Sequence, residues 1–132
     1  MDSNIILKTG HFQADGDAYD LDLGGVPIYA EIWNHAAADT EIMGCKWWKD
    51  MGDGAGFCFY VDADGDVGSV QYKSSGAPIA VKDTVSVQTS EPIKTTKVQG
   101  ITIAAGFMDD DDEIYYMALV HGSEDQDLGD IA

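Results

Sequence analysis

Two clusters of acidic residues are the parts of this sequence that could bind a cation. The first, DADGD, places Asp62, Asp64 and Asp66 at alternate positions, so several carboxylate oxygens could face one hard cation such as Ca²⁺. An EF-hand loop has glycine at its sixth position and glutamate at its twelfth, whereas Gly65 is fourth here and Lys73 is twelfth. We therefore predict a tight hairpin turn in which the Asp-Gly pair supplies positive φ values, with a calcium site as the alternative.

The second cluster is the unbroken acidic run from Asp109 to Glu113. Adjacent carboxylates repel one another, so they must be either solvated or neutralised by bound cations. A turn exposed to water allows the carboxylates to be solvated without a special pocket. Catalysis by paired carboxylates needs two positions fixed in different environments, which a contiguous run does not show. The run is therefore predicted to be a solvated turn.

The remaining candidates for chemistry are histidines and cysteines. His11, His35 and His121 are scattered and match no metal-binding motif, and the sequence contains no nucleophile elbow or phosphate-binding glycine loop. Cys45 and Cys58 are too few for a disulfide framework or a four-ligand zinc site. We predict two reduced, half-buried thiols, with a disulfide between adjacent strands as the alternative. The sequence thus predicts no catalytic residue, no metal, no cofactor and no enzyme.

The tryptophans are more informative. Neighbouring residues of a strand point to opposite faces, so Trp47 and Trp48 are not expected to share one core. The second of them covers a sheet edge or a second core, lies in a subunit interface, or forms a platform on which a sugar stacks. Large aromatic side chains are enriched where a partner buries the surface. Trp33, Trp47 and Trp48 are therefore our candidate interface residues.

The elements that must position these residues are short runs with a period of two. YDLDL at 19–23 alternates apolar and acidic residues, and GGVP at 24–27 predicts a turn. IYAEIWNH at 28–35 is apolar on both faces, which predicts a covered strand, with a helix through AEIWNHAAADTEIM as the rival. Further strand-like runs flank DMGDGAG and DADGD, and the last are DTVSVQTS, QGITIAAG and EIYYMALV.

Together these runs predict an all-β fold. About eight to ten short strands, with turn signals roughly every 8 to 12 residues, indicate a single antiparallel β-sandwich or barrel-like domain. We place this domain at residues 1–122. The acidic C-terminal tail, residues 123–132, is predicted to be more mobile than packed.

The length and net charge of the chain limit the kinds of partner that it could bind. The 132 residues suit one domain, and 24 acidic residues against 7 basic ones give a net charge of −17. Such a chain repels a phosphate backbone, so we expect no nucleic-acid partner. No segment approaches the roughly 18 apolar residues that span a bilayer, and the first residues lack the pattern of a signal peptide. We expect a soluble protein made in the cytoplasm, without a membrane partner.

Three segments in this order resemble a family of small β-rich structural proteins of tailed bacteriophages. DLDLGGVPIYAEIWN, at 20–34, is similar to that family's strand, Gly-x-x-Pro turn and strand. KWWKDMGDGAGF, at 46–57, is similar to its tryptophan-containing turn, although Lys49 and Asp50 replace the usual glycine before Met51. VQGITIAAGFMDDDDEIYYMALV, at 98–120, resembles its closing strand pair, with an unusually acidic turn.

The resemblance implies a non-enzymatic virion component, made in the host cytoplasm, that decorates the capsid exterior as a cement protein. Its partners would be the major capsid protein and further copies of itself, in a trimer or other symmetric cluster. A strong negative charge suits such a role, since it keeps particles from adhering to one another. The alternative is a host-adhesion or carbohydrate-binding module of the virion, with Trp33, Trp48 and nearby tyrosines as stacking platforms.

Overall fold

The computed structural model describes residues 4–38, 41–64, 66–88 and 91–122. The acidic tail predicted at 123–132 and the predicted positive φ of Gly65 lie outside these residues. The described chain forms nine β-strands and two short 3-10 helices. The strands are β1 (Asn4–Gln13), β2 (Tyr19–Asp22), β3 (Gly25–Asn34), β4 (Ile42–Trp48), β5 (Gly56–Val61), β6 (Val67–Lys73), β7 (Ile79–Gln88), β8 (Lys94–Ile103) and β9 (Glu113–Gly122), and the 3-10 helices are Lys49–Met51 and Ala105–Phe107.

These strands form two antiparallel sheets, which confirms the predicted all-β, sandwich-like domain. The larger sheet has six strands in the order β1-β9-β3-β4-β5-β6, and the smaller has three in the order β2-β8-β7. The smaller sheet packs on the middle of the larger one, where β3 contacts β7 and β8. The larger sheet is twice as wide, so its flanks extend beyond the sandwich.

The core lies between the two sheets and follows from the strand period of two. In β2 the side chain of Leu21 points inward and is buried, while Asp20 and Asp22 face water. In β3 the inward residues include Ala30 and Ile32. The fully buried residues of the core include Ile32, Trp47, Ile79, Ile101, Ile103, Ile114 and Val120. Full burial of one such aliphatic side chain contributes about 1.5–3 kcal/mol relative to its exposure.

Turns occur where the sequence predicts them, with one adjustment. Gly24 has a φ of 75°, and Gly52 and Gly54 in DMGDGAG have φ values of 90° and 87°. The predicted turn GGVP is confined to Gly24, because β3 already begins at the next residue. Pro27 lies inside β3, where the pairing with β9 shifts register, as expected for a residue that lacks a backbone N–H.

The rival helix through AEIWNHAAADTEIM, at 30–43, is wrong, because its first five residues lie in β3 and its last two in β4. Strand β1 was not predicted, because its apolar residues Ile5, Ile6 and Leu7 are consecutive and do not alternate. Strands β7 and β8 are longer than the short runs predicted for them. They pair over ten residues, whereas β2 pairs with only the last four of β8, so both continue as a two-stranded hairpin.

No helix in the described ranges combines the length and the apolar character that crossing a bilayer requires.

Candidate functional site

The two neighbouring tryptophans lie on opposite faces of the six-stranded sheet, as predicted. Trp47 is 2% exposed in the core, and its Nε1 donates a hydrogen bond to the carbonyl oxygen of Gly52 at 2.9 Å. Trp48 is 39% exposed on the face turned away from the smaller sheet. Trp47 is therefore part of the core and is not accessible to a partner, which leaves Trp33 and Trp48 as candidate interface residues.

Strand register shows that this outer face is rich in aromatic side chains. Residues directly opposite each other on neighbouring strands share a face. Trp48 lies opposite Tyr29, Tyr115 opposite Trp33, and Tyr72 opposite Phe57. We define the aromatic face as the outward-pointing residues Tyr29, Trp33, Trp48, Phe57, Phe59, Tyr72 and Tyr115.

The rings of the aromatic face contact one another across β4, β5 and β6. The ring centroids of Trp48 and Phe57 are 5.7 Å apart, and those of Phe57 and Tyr72 are 5.4 Å apart. On a neighbouring row, Trp33 and Phe59 are 5.3 Å apart. Such pairs contribute about 0.5–1.5 kcal/mol each beyond their burial. The rings are therefore held in place, which lowers the entropy cost of binding a partner there.

The charged residues at the centre of the aromatic face already have partners within the chain. The two carboxylate oxygens of Glu31 accept hydrogen bonds from the Tyr29 hydroxyl at 2.5 Å and from Trp33 Nε1 at 2.8 Å. Burial, together with this bond to Glu31, raises the pKa of Tyr29 above its ordinary value. Lys46, directly opposite Glu31, places its Nζ 5.7 Å from the ring centroid of Phe59. The centre of the face consequently presents aromatic surface with its polar groups satisfied.

One end of the aromatic face carries two of the three histidines. The ring of Tyr115 lies 5.4 Å from that of His11 and 5.5 Å from that of His35. His11 also contacts the carboxylate of Glu113 through its Nδ1. His121 lies on β9 opposite Ile5, away from this group. Within the described part of the chain, no group of three or more histidine, cysteine, aspartate or glutamate side chains could hold a metal ion.

The acidic run forms a turn that Asp112 stabilises. Its Oδ2 accepts hydrogen bonds from the backbone N–H of Asp109 at 2.9 Å and from Nδ2 of the buried Asn34 at 2.8 Å. The same Nδ2 donates to the carbonyl oxygen of Phe107 at 3.0 Å. The neighbouring Asp110 is exposed. The carboxylates of the run therefore have separate roles, since Asp112 fastens the turn to β3 while Asp110 faces water.

The DADGD stretch connects β5 to its antiparallel neighbour β6, as a hairpin turn must. One oxygen of Asp62, Oδ1, accepts hydrogen bonds from the backbone N–H groups of Asp64 at 2.9 Å and Asp66 at 3.0 Å. This oxygen therefore serves the turn itself.

The cysteines are more deeply buried than the sequence suggested. Cys45 and Cys58 are directly opposite each other on β4 and β5, both are 0% exposed, and their sulfur atoms are 3.9 Å apart as free thiols. The half-buried thiols predicted from the sequence are thus fully buried. The contact with Cys58 and burial away from water raise the pKa of Cys45 well above that of a free thiol.

The other members of the aromatic face were not singled out from the sequence. A signal exists in FCFY, where Phe57 and Phe59 alternate with Cys58 and so must share a face. That this face is uncovered depends on the width of the opposing sheet. Comparisons of the chain with protein-family models, curated proteins and solved structures give no match.

Proposed function

We propose that this protein is a non-enzymatic virion structural protein that decorates and stabilises the capsid exterior, and that it docks through the aromatic face. The major capsid protein would be the partner that covers Trp33 and Trp48. The observation that carries the proposal is the aromatic face itself, a preordered surface of half-buried and exposed rings on one side of a sheet. Exposed apolar surface of this kind marks protein interaction sites in soluble proteins.

The charge of the chain argues against association of two copies through their aromatic faces and favours a different protein as the partner. Two copies meeting face to face would bring net charges of −17 together around an interface whose central carboxylate, Glu31, is already hydrogen-bonded to Tyr29 and Trp33 of its own chain. A shell protein that presents apolar or basic groups would meet no such repulsion. It would also gain the large hydrophobic contribution of burying tryptophan and tyrosine rings.

The alternative function, that of a carbohydrate-binding module, would use the same aromatic rings but would also need polar groups. A sugar site combines stacking with convergent free polar groups that fix the orientation of the ligand. On the aromatic face each carboxylate oxygen of Glu31 already accepts one hydrogen bond, from Tyr29 or Trp33, so this group has fewer open acceptor positions for sugar hydroxyls. This arrangement favours burial by a protein over binding of a sugar.

The test compares three variants for occupancy on purified particles lacking the protein. Trp48→Ala and Trp33→Ala each remove one ring from the aromatic face, and Ile93→Ala is the matched control, since Ile93 is 67% exposed between β7 and β8. Truncating an interface tryptophan costs about 2 kcal/mol or more of binding energy when it is a hot spot. We expect the tryptophan variants to lose roughly thirtyfold or more in affinity, as that energy implies, and the control to bind normally.

Particle stability is the second measurement. Particles occupied by the wild-type protein should release their genome at a higher temperature than bare particles, and particles mixed with Trp48→Ala should resemble bare ones. If the folded wild-type protein does not associate with capsids, or if occupancy leaves the release temperature unchanged, the decoration function is refuted. Binding of the isolated protein to a glycan array, lost on Trp48→Ala, would establish the adhesion function instead.

A further inference from the structure

The two outermost strands of the six-stranded sheet, β1 and β6, carry most of the exposed large apolar side chains in the described residues. On β1 these are Ile5, Ile6 and Leu7, and on β6 they are Val67, Val70 and Tyr72. Among the described strands, β1 pairs only with β9 and β6 only with β5. Each therefore presents a row of backbone groups on its open side, next to exposed apolar side chains. Such an edge is a template for pairing with another strand.

The composition of these two edges departs from that of the rest of the chain. The protein has 24 acidic residues, yet neither β1 nor β6 contains an aspartate or glutamate, and neither contains a proline. Charged side chains and proline are among the devices that keep sheet edges from pairing, and the two edges carry one lysine each, Lys8 on β1 and Lys73 on β6. Because neither edge has an acidic residue, a seam between β6 of one copy and β1 of the next would lack the negative charge that dominates the rest of the chain.

Topology makes the two edges compatible with each other. All neighbours in this six-stranded sheet are antiparallel, so β1 and β6 run in opposite directions within one molecule. When β6 of one copy lies beside β1 of the next, the antiparallel alternation therefore continues without interruption, and the aromatic faces lie on the same side.

One register between β6 of one copy and β1 of the next also places apolar side chains opposite each other. Placing Val70 opposite Leu7 of the next copy sets Tyr72 opposite Ile5, and all of these are exposed in one copy and belong to the outer face. Cross-strand apolar pairs of this kind stabilise a sheet.

We propose that the chain assembles head to tail with further copies of itself, through strand pairing of β6 with β1 of the neighbour. This inference goes beyond the proposed function, because it concerns the two sheet edges, which share only Tyr72 with the aromatic face. It can be decided on the purified protein without any capsid. Since the net charge of −17 opposes association, assembly should strengthen as added salt screens it.

The experiment uses one charged substitution on each edge and measures mass by analytical ultracentrifugation. Leu7→Lys blocks the β1 edge and Val70→Lys blocks the β6 edge; the two residues are 57% and 52% exposed, so both substitutions spare the core. Wild type is expected to form an oligomer, and each variant alone to be monomeric. Ile93→Lys, outside both edges, is the control and should assemble as wild type does.

Mixing the two variants tests the head-to-tail arrangement. Leu7→Lys keeps an intact β6 edge and Val70→Lys keeps an intact β1 edge, so an equimolar mixture should form a heterodimer with one good seam and stop there. A wild type that stays monomeric at every concentration and salt level overturns the proposal, as does a mixture that remains monomeric. Dimers formed by either variant alone would also overturn it, since they require an edge to pair with its own kind.

Two further measurements keep the result interpretable. Circular dichroism establishes that each variant is folded, and Ile5→Lys with Tyr72→Lys repeats the experiment at the other matched position if either first variant does not fold. Trp48→Ala leaves both edges intact and should assemble normally. A Trp48→Ala variant that assembles but does not bind capsids would therefore test only the proposed function. A Leu7→Lys variant that does not assemble would test only the pairing of β6 with β1.

Discussion

The indole of Trp33 occupies the space above Gly44, its cross-strand neighbour. A Cβ at Gly44 would lie 2.1 Å from Cζ3 and 2.2 Å from Cε3 of that indole. The absence of a side chain at position 44 thus lets Trp33 lie over β4, where Nε1 reaches Glu31 and the ring contacts Phe59. One glycine on β4 determines the position of an aromatic ring on β3.

The Gly44→Ala variant should therefore displace the indole of Trp33. We expect a loss of about 1–3 kcal/mol in the free energy of unfolding, the usual cost of forcing extra volume into a packed site. Tryptophan fluorescence should shift to longer wavelength as the ring moves toward water. Gly106→Ala is the control, because a Cβ there meets no atom within 4 Å, and it should leave both readings nearly unchanged. Equal stability of the two variants would contradict this account.

Removal of the Asp112 carboxylate should destabilise the protein, although the residue lies in an acidic turn. Asp112→Ala leaves the buried Nδ2 of Asn34 and the N–H of Asp109 without this acceptor. Unmet hydrogen-bonding groups in such positions cost about 1–3 kcal/mol. Asp110→Ala, in the same run, should be within about 0.5 kcal/mol of wild type. Chemical denaturation of both variants measures the difference, and an Asp112→Ala as stable as Asp110→Ala would show that the turn is held by other contacts.

The free energy of unfolding should fall at alkaline pH because Tyr29 loses its proton. Burial and the bond to Glu31 raise the folded-state pKa of Tyr29 above the ordinary tyrosine value of 10.0, which the unfolded chain retains. The folded protein therefore holds this proton more tightly. Its contribution is complete below pH 10 and is progressively lost as the pH rises toward the folded-state value. Denaturant unfolding at a series of pH values above 9 should show this slope in wild type and a weaker one in Tyr29→Phe, with the exposed Tyr72→Phe as the control.

The thiols of Cys45 and Cys58 should resist modification in the folded protein. Both are fully buried, and the raised pKa of Cys45 keeps its reactive thiolate form scarce. A soluble aromatic disulfide reagent should release almost no chromophore from the native protein. The same reagent should titrate both thiols after unfolding in denaturant. Rapid reaction of a thiol under native conditions would show that β4 and β5 open far more readily than their burial implies.

Local patterns predicted much of this structure because a strand has a period of two. The alternation in YDLD predicted which residues of β2 are buried, and the adjacency of Trp47 and Trp48 predicted that they would lie on opposite faces. The glycines of DMGDGAG and the aspartates of DADGD predicted the connections between β4, β5 and β6. Strand β1 escaped prediction because three consecutive apolar residues fit neither a one-faced strand nor a helix.

The sequence by itself determined most of the strands, most of the turns and the all-β class, since each depends on residues close together in the chain. Only the tertiary structure decided which face stays uncovered and which strands are edges. Those features depend on the pairing of β1 with β9 and on a three-stranded sheet too narrow to cover six strands, and the paired residues are up to 118 positions apart, as Asn4 and Gly122 are. Trp47 became a core residue and Trp48 a surface residue for the same reason: strand geometry separates the two rings, but the position of the second sheet decides which of them is buried.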